Sequence, residues 1–141
     1  MDTPQKILLI DDDPLIAQLV GMLVTVFRGD SFTVEHVPDY DNGLKRLLSG
    51  THALCLLDYH LGAGDGLQLL REAKSQNCLT PVILLTGDSR EETDLAAMEG
   101  GAADFINKRD LKPDTFERSV QYAIKTAKAL AALRAAQKPA R

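Results

Sequence analysis

Four short apolar runs, at residues 7–10, 32–37, 53–57 and 82–85, with a weaker fifth at 103–106, constrain this chain more than any other feature. Three of them are continuous rather than alternating, as expected of strands covered on both faces by helices in a parallel sheet. Helical patterns lie between them. Residues 14–27 place Ile16, Leu19, Val20, Leu23, Val24 and Phe27 on one face, with Asp13 as cap and Pro14 at the first helical position, where its missing N–H costs nothing. Leu44, Leu47 and Leu48 mark a second helix, and Leu67, Leu69, Leu70 and Ala73 a third, capped by Asp65. Leu95, Ala96 and Met98 give a weak fourth that ends at Gly100 and Gly101, where a left-handed cap is easy. A fifth starts at Pro113 and carries Phe116, Val120, Ala123, Ile124, Ala127, Leu130 and Leu133 on one side. Running to Gln137 it would be roughly 25 residues and about 37 Å long. A small sheet cannot cover that length, so its last turns should project.

Strand and helix thus alternate five times, which predicts an α/β fold: a doubly wound five-stranded parallel sheet with five helices, the last extended. In such sheets ligands sit outside the carboxyl ends of the strands. Asp11, Asp12 and Asp13 follow the first run, Asp58 the third, Thr86 and Gly87 the fourth, and Lys108 the fifth. If the first and third strands are neighbours, Asp11, Asp12 and Asp58 converge, and three like charges repel. A hard divalent cation with oxygen ligands would offset them, and Mg²⁺ typically takes one or two carboxylates, waters and a phosphate oxygen. Lys108 can reach an anion at the mouth and the Thr86 hydroxyl can donate to it. Those are the partners of a phosphoryl group carried on Asp58. Asp13 reads as the helix cap instead.

Composition narrows the function. A net charge of −4 argues against a broad nucleic-acid footprint, so no direct DNA binding is expected. No apolar run approaches the roughly 18 residues of a membrane span, and too few residues precede Lys6 for a signal peptide, so a cytoplasmic location is expected. Cys55 and Cys78 lack metal-ligand spacing and read as buried free thiols.

The motifs resemble the receiver domain of bacterial two-component response regulators, the flavodoxin-like receiver fold, over residues 5–126. The matching stretches are ILLIDDDP at 7–14, LLDYHLG at 56–62 with Asp65 and Gly66, VILLTG at 82–87, and GAADFINK at 101–108. The resemblance implies that a sensor histidine kinase or histidine phosphotransfer protein donates a phosphoryl group to Asp58. It further implies Mg²⁺ bound directly by Asp12, by Asp11 through water, and by Asp58 and the backbone carbonyl of His60, whose side chain is not a ligand. Thr86 would be drawn to the phosphoryl group and Phe105 would turn inward behind it, resting on packing because it lacks a tyrosine hydroxyl. His60 and Asp88 would influence attacking water. Such a chain is no enzyme beyond self-catalysed phosphorylation and dephosphorylation. Its output would be a change in protein contacts through the fourth helix, fifth strand and fifth helix.

Two departures stand out. Arg109 follows Lys108 where the family commonly has proline, so the loop into the last helix is expected to differ. Residues 127–141 form an extension beyond a receiver domain at 1–126, either a linker or a helix on which Leu130 and Leu133 pair two copies as a homodimer. Other readings stay open at this point. They are a phosphorylation-independent adaptor, the receiver portion of a larger regulator or hybrid kinase, and an aspartate-nucleophile phosphatase of the haloacid dehalogenase type. The last would want Asp-x-Asp-x-Thr, but Leu15 stands at its final position.

Overall fold

The computed structural model describes residues 4–62, 64–87, 96 and 98–137. Five strands, β1 (Gln5–Ile10), β2 (Phe32–Val37), β3 (Leu54–Asp58), β6 (Val82–Thr86) and β7 (Asp104–Asn107), form one parallel sheet in the order β2-β1-β3-β6-β7. β1 therefore has β2 on one side and β3 on the other, and the chain reverses its direction of winding there. The two remaining strands, β4 (His60–Leu61) and β5 (Gly64–Asp65), make a separate antiparallel ribbon after β3. Two paired residues carry no periodic apolar signal, so the sequence does not announce it.

Helices cover both faces. On one side α1 (Pro14–Thr25) and the C-terminal helix (Pro113–Gln137) bury Val20, Leu23, Val24, Phe116, Val120 and Ile124 against Ile7, Leu9, Leu54 and Leu56. On the other, α2 (Tyr40–Leu48) and α3 (Gly66–Ser75) pack Leu47, Leu67, Leu69 and Leu70 onto Leu8, Ile10, Cys55 and Leu57. This two-sided cover is why β3 and β6 are buried at every residue.

Local chemistry sets the ends. Asp13 Oδ1 accepts from the Leu15 amide at 2.9 Å, with Pro14 opening α1. Asp39 and Asp65 cap α2 and α3 in the same way, accepting from Asn42 and Gln68. The first helix is shorter than the predicted 14–27. It stops at Thr25 because the Val26 amide turns back to Leu23 and Val24, freeing Phe27 to pack between Phe32 and Phe116 at centroid distances of 5.7 and 5.6 Å. The third and fourth apolar runs each extend one polar residue further as strands. Asp58 stays in the ladder opposite Leu85, and Tyr59 N–H donates to the Leu85 carbonyl at 2.9 Å. Backbone pairing is indifferent to the side chain that terminates the apolar pattern.

Ala96 and Met98 are helical, and Gly101 adopts φ +99°, the left-handed cap expected there, while Leu95 lies outside the described residues. The C-terminal helix runs unbroken through residue 126. Its last buried residue is Ile124, and from Lys128 to Gln137 every residue is exposed, so the final turns do project. Cys55 is buried and Cys78 half-buried, both free thiols. Among the described residues no helix is long and apolar enough to cross a membrane.

Candidate functional site

The sheet order makes β1 and β3 neighbours, in register Ile10 to Leu57, so the residues that follow meet at one edge. Carboxylate oxygens of Asp11, Asp12 and Asp58 lie within 4.8 Å of one another. Asp11 is fully buried, Asp58 is 3% exposed, and Asp12 faces solvent. Lys108, at the start of the 3₁₀ turn Lys108–Asp110 that follows β7, reaches back with Nζ 3.1 Å from Asp11 Oδ2 and 3.3 Å from Asp58 Oδ1. The same Asp58 oxygen accepts the His60 backbone N–H at 3.2 Å.

Asp11 is held from several directions. Its Oδ1 accepts the Asp13 amide at 2.8 Å, its own amide donates to the Val37 carbonyl at 3.2 Å, and its carbonyl lies 2.6 Å from His36 Nε2. Oδ2 has the Lys108 ion pair but no hydrogen-bond geometry, so a buried carboxylate oxygen keeps unused acceptor capacity toward the cluster.

Three carboxylates thus gather around the Lys108 ammonium. Burial, followed by the charge of Asp11, pushes the Asp58 carboxyl up from 3.8 to about 6 against the opposing pull of Lys108 and the His60 amide. Burial alone would lower Lys108, but Asp58 and Asp11 outweigh it and hold its ammonium above the usual range. Because the folded protein binds a proton at Asp58 more tightly than the unfolded chain, this group favours folding below pH 3.8. That contribution is lost as pH rises through about 6. In a chelator, the melting temperature should therefore carry a component that falls between pH 4 and pH 7, and Asp58→Asn should remove it; thermal scans across that range are the check.

The site fits a divalent cation on its own chemistry. It offers hard oxygen donors only, excess negative charge, and one buried oxygen without a hydrogen bond. This acidic cluster can bind a metal.

Thr86, the last residue of β6, is buried at the same end of the sheet, paired with Asn107 of β7. Phe105 is half-buried and lines a groove together with Thr86. His60 exposes its ring, which stands edge-on to Tyr59 at 4.9 Å, so only its backbone joins the pocket. Asp88 lies outside the described residues. The loop after Lys108 is built by the departure from proline: the Arg109 N–H donates to Asn107 Oδ1 at 2.9 Å, capping the 3₁₀ turn. Proline has no such hydrogen to give.

Two residues at the site receive no role from sequence reading. His36 sits on β2, far along the chain from Asp58. Gly66 donates its amide to the Tyr59 carbonyl at 2.7 Å, and its Cα lies where a side chain would strike the Asp58 backbone. For Gly66 a signal existed in its place after Asp65; for His36 there was none.

Residues 7–121 match the family model described as the response regulator receiver domain. Regulatory protein VirG of Agrobacterium tumefaciens is 36% identical over 74% of this chain and 38% of its own length. Transcriptional regulatory protein RprY of Bacteroides fragilis is 32% identical over 77% of this chain and 44% of its own. The chain thus spans less than half the length of these relatives. Among solved structures, a CheY-like response regulator receiver domain protein from Methanospirillum hungatei superposes with a TM-score of 0.77 at 21% identity, covering 90% of this chain and 98% of that one. At that identity the likeness speaks for the fold.

Proposed function

The chain belongs to the response regulator receiver domain family, and on that premise we propose that Asp58 is the phosphoacceptor of a two-component switch. The donor is the phosphohistidine of a sensor histidine kinase or histidine phosphotransfer protein. The observation that carries the reading is the convergence on one nearly buried carboxylate of Lys108, the His60 amide and two further carboxylates from a neighbouring strand.

An Asp58 carboxylate oxygen forms the new bond to phosphorus as the N–P bond to the donor imidazole breaks, leaving an acyl phosphate on Asp58 and a free histidine on the donor. Lys108 orients the attacking carboxylate and then follows the charge onto the phosphoryl oxygens. Asp11, Asp12, Asp58 and the His60 backbone carbonyl are the groups that would hold Mg²⁺, which when bound neutralises charge on those oxygens. The Thr86 hydroxyl donates to the phosphoryl group, and Phe105 follows it inward in the groove they share. The His60 side chain, exposed two residues beyond Asp58, influences attacking water. No turnover of an external substrate is involved; the chain is an acceptor, not an enzyme.

The donor must present its histidine at the mouth of the pocket. α1 begins beside that mouth and exposes Leu15 in its first turn and Met22 further along, at 70 and 64%, apolar side chains suited to a partner helix. Phosphohistidine donors of this kind act in the cytoplasm, where we place the chain. Output passes through protein contacts of the fourth helix, β7 and the C-terminal helix, with Leu130 and Leu133 available for pairing two copies. The relatives named as regulators carry length that this chain does not match, so the expectation of no direct DNA contact attaches to the receiver residues alone.

Incubation with Mg²⁺ and acetyl phosphate tests the reading. One added phosphoryl mass is the expected result. Absence of labelling would favour a phosphorylation-independent adaptor, and steady multiple turnover of a phosphomonoester would favour a phosphatase.

A further inference from the structure

We propose that His36, on β2, is a positioning residue for the metal-binding pair Asp11 and Asp12. The inference rests on the reading of the acidic cluster as a Mg²⁺ site. A carbonyl oxygen only accepts, so the 2.6 Å contact between His36 Nε2 and the Asp11 carbonyl assigns the ring proton to Nε2. That carbonyl belongs to the peptide joining Asp11 to Asp12. The hydrogen bond therefore sets the plane of the one peptide on which the relative placement of the two carboxylates depends.

The rest of Asp11 is already clamped. Its amide is tied to the Val37 carbonyl at 3.2 Å, and Oδ1 is tied to the Asp13 amide at 2.8 Å. β1 and β2 run in register up to Ile10 and Val37, so both backbone anchors of Asp11 come from the carboxyl end of β2. The ladder secures the amide, but its regular pattern ends there and leaves the next carbonyl to a side chain. His36 supplies the donor from an exposed position on an edge strand, where nothing in core packing requires a histidine. With all other polar atoms of Asp11 committed, Oδ2 alone points to the cluster without a hydrogen bond. Partners that orient metal ligands in this way typically change metal affinity by about 10–100-fold when removed.

The test uses Mn²⁺ as a spin probe for the cation, with free Mn²⁺ read by electron paramagnetic resonance on the full chain. His36→Phe retains a ring but cannot donate; it should weaken Mn²⁺ binding by about tenfold. His36→Gln, whose Nε2 can donate from a similar reach, should restore it. Thermal unfolding in a chelator separates this from general damage, because both variants should then melt alike. Equal Mn²⁺ affinity in His36→Phe and the unaltered protein would overturn the inference and leave the pocket reading intact. Equally weak binding by His36→Gln and His36→Phe would also overturn it, since the donor would not be what matters. If the unaltered protein bound no Mn²⁺, the metal-site reading itself would fall, and this inference with it.

Discussion

Asp58→Asn is expected to reduce phosphoryl incorporation from acetyl phosphate to background while raising the stability of the metal-free protein. The two effects have one cause. An amide has no anionic oxygen to form the bond to phosphorus, so the acceptor is lost although the side chain keeps its shape. The same substitution removes a carboxylate that burial, followed by the charge of Asp11, pushes up from 3.8 to about 6. At neutral pH in a chelator the gain should be about 1–2 kcal/mol once screening near the pocket mouth is allowed for. Intact-mass spectrometry reads the first effect and thermal melting the second. A variant that still gained one phosphoryl mass would place the acceptor elsewhere and overturn the assignment. Lost labelling with no change in metal-free melting would instead show that Lys108 already compensates the cluster.

Gly66→Ala should be damaging to both fold and phosphorylation, although Gly66 bears no functional group. A Cβ at this position would fall on the Asp58 carbonyl oxygen and lie 3.0 Å from its carbon, with the Leu57 side chain 3.2 Å away. The obstacle is backbone, which cannot rotate aside, so α3 and the end of β3 must separate. Such overpacking costs about 1–3 kcal/mol, sometimes more. The displaced residue is the proposed acceptor, and a shift near 1 Å at a reacting group can cost about a hundredfold in rate. Gly43→Ala is the informative comparison. The three atoms nearest its added methyl all belong to the Ile10 side chain, the closest at 2.7 Å, and none to the backbone of the acceptor. It should lose stability but keep its labelling rate. Chemical denaturation and time-resolved mass spectrometry on the two variants would measure this difference. Equal labelling by both would mean that the approach of α3 to Asp58 is a packing matter only.

The clash at Gly66 marks where local sequence patterns stop being informative. An apolar run reports that a stretch is buried, and the helical spacing of Val20, Leu23 and Val24 reports which face is covered, because both patterns repeat within a few residues. Caps are equally local: Asp13 and Pro14 mark the start of α1 by chemistry that involves only their own turn. The polar residues Asp11, Asp58, Thr86 and Lys108 are legible in the same way, since each stands where an apolar run ends. The early stop of α1 was not legible, since it depends on Phe27 packing against Phe32 and Phe116. Nor was the β4–β5 ribbon, too short to carry a period.

What the sequence determined by itself is the inventory: alternating strands and helices, an acidic residue at two strand ends, a threonine and a lysine at two others, and a final helix too long for its sheet. Only the tertiary structure decided that these meet. It placed β1 beside β3, brought Lys108 Nζ within 3.3 Å of Asp58, and left one Asp11 oxygen buried without a hydrogen bond. It also set His36 on the carbonyl between the two clustered aspartates and Gly66 against the backbone of the proposed acceptor. The physical reason is one of range. Secondary structure is dictated by neighbours along the chain, whereas the shape of this pocket follows from strand order and register between segments far apart in sequence, which no local pattern encodes.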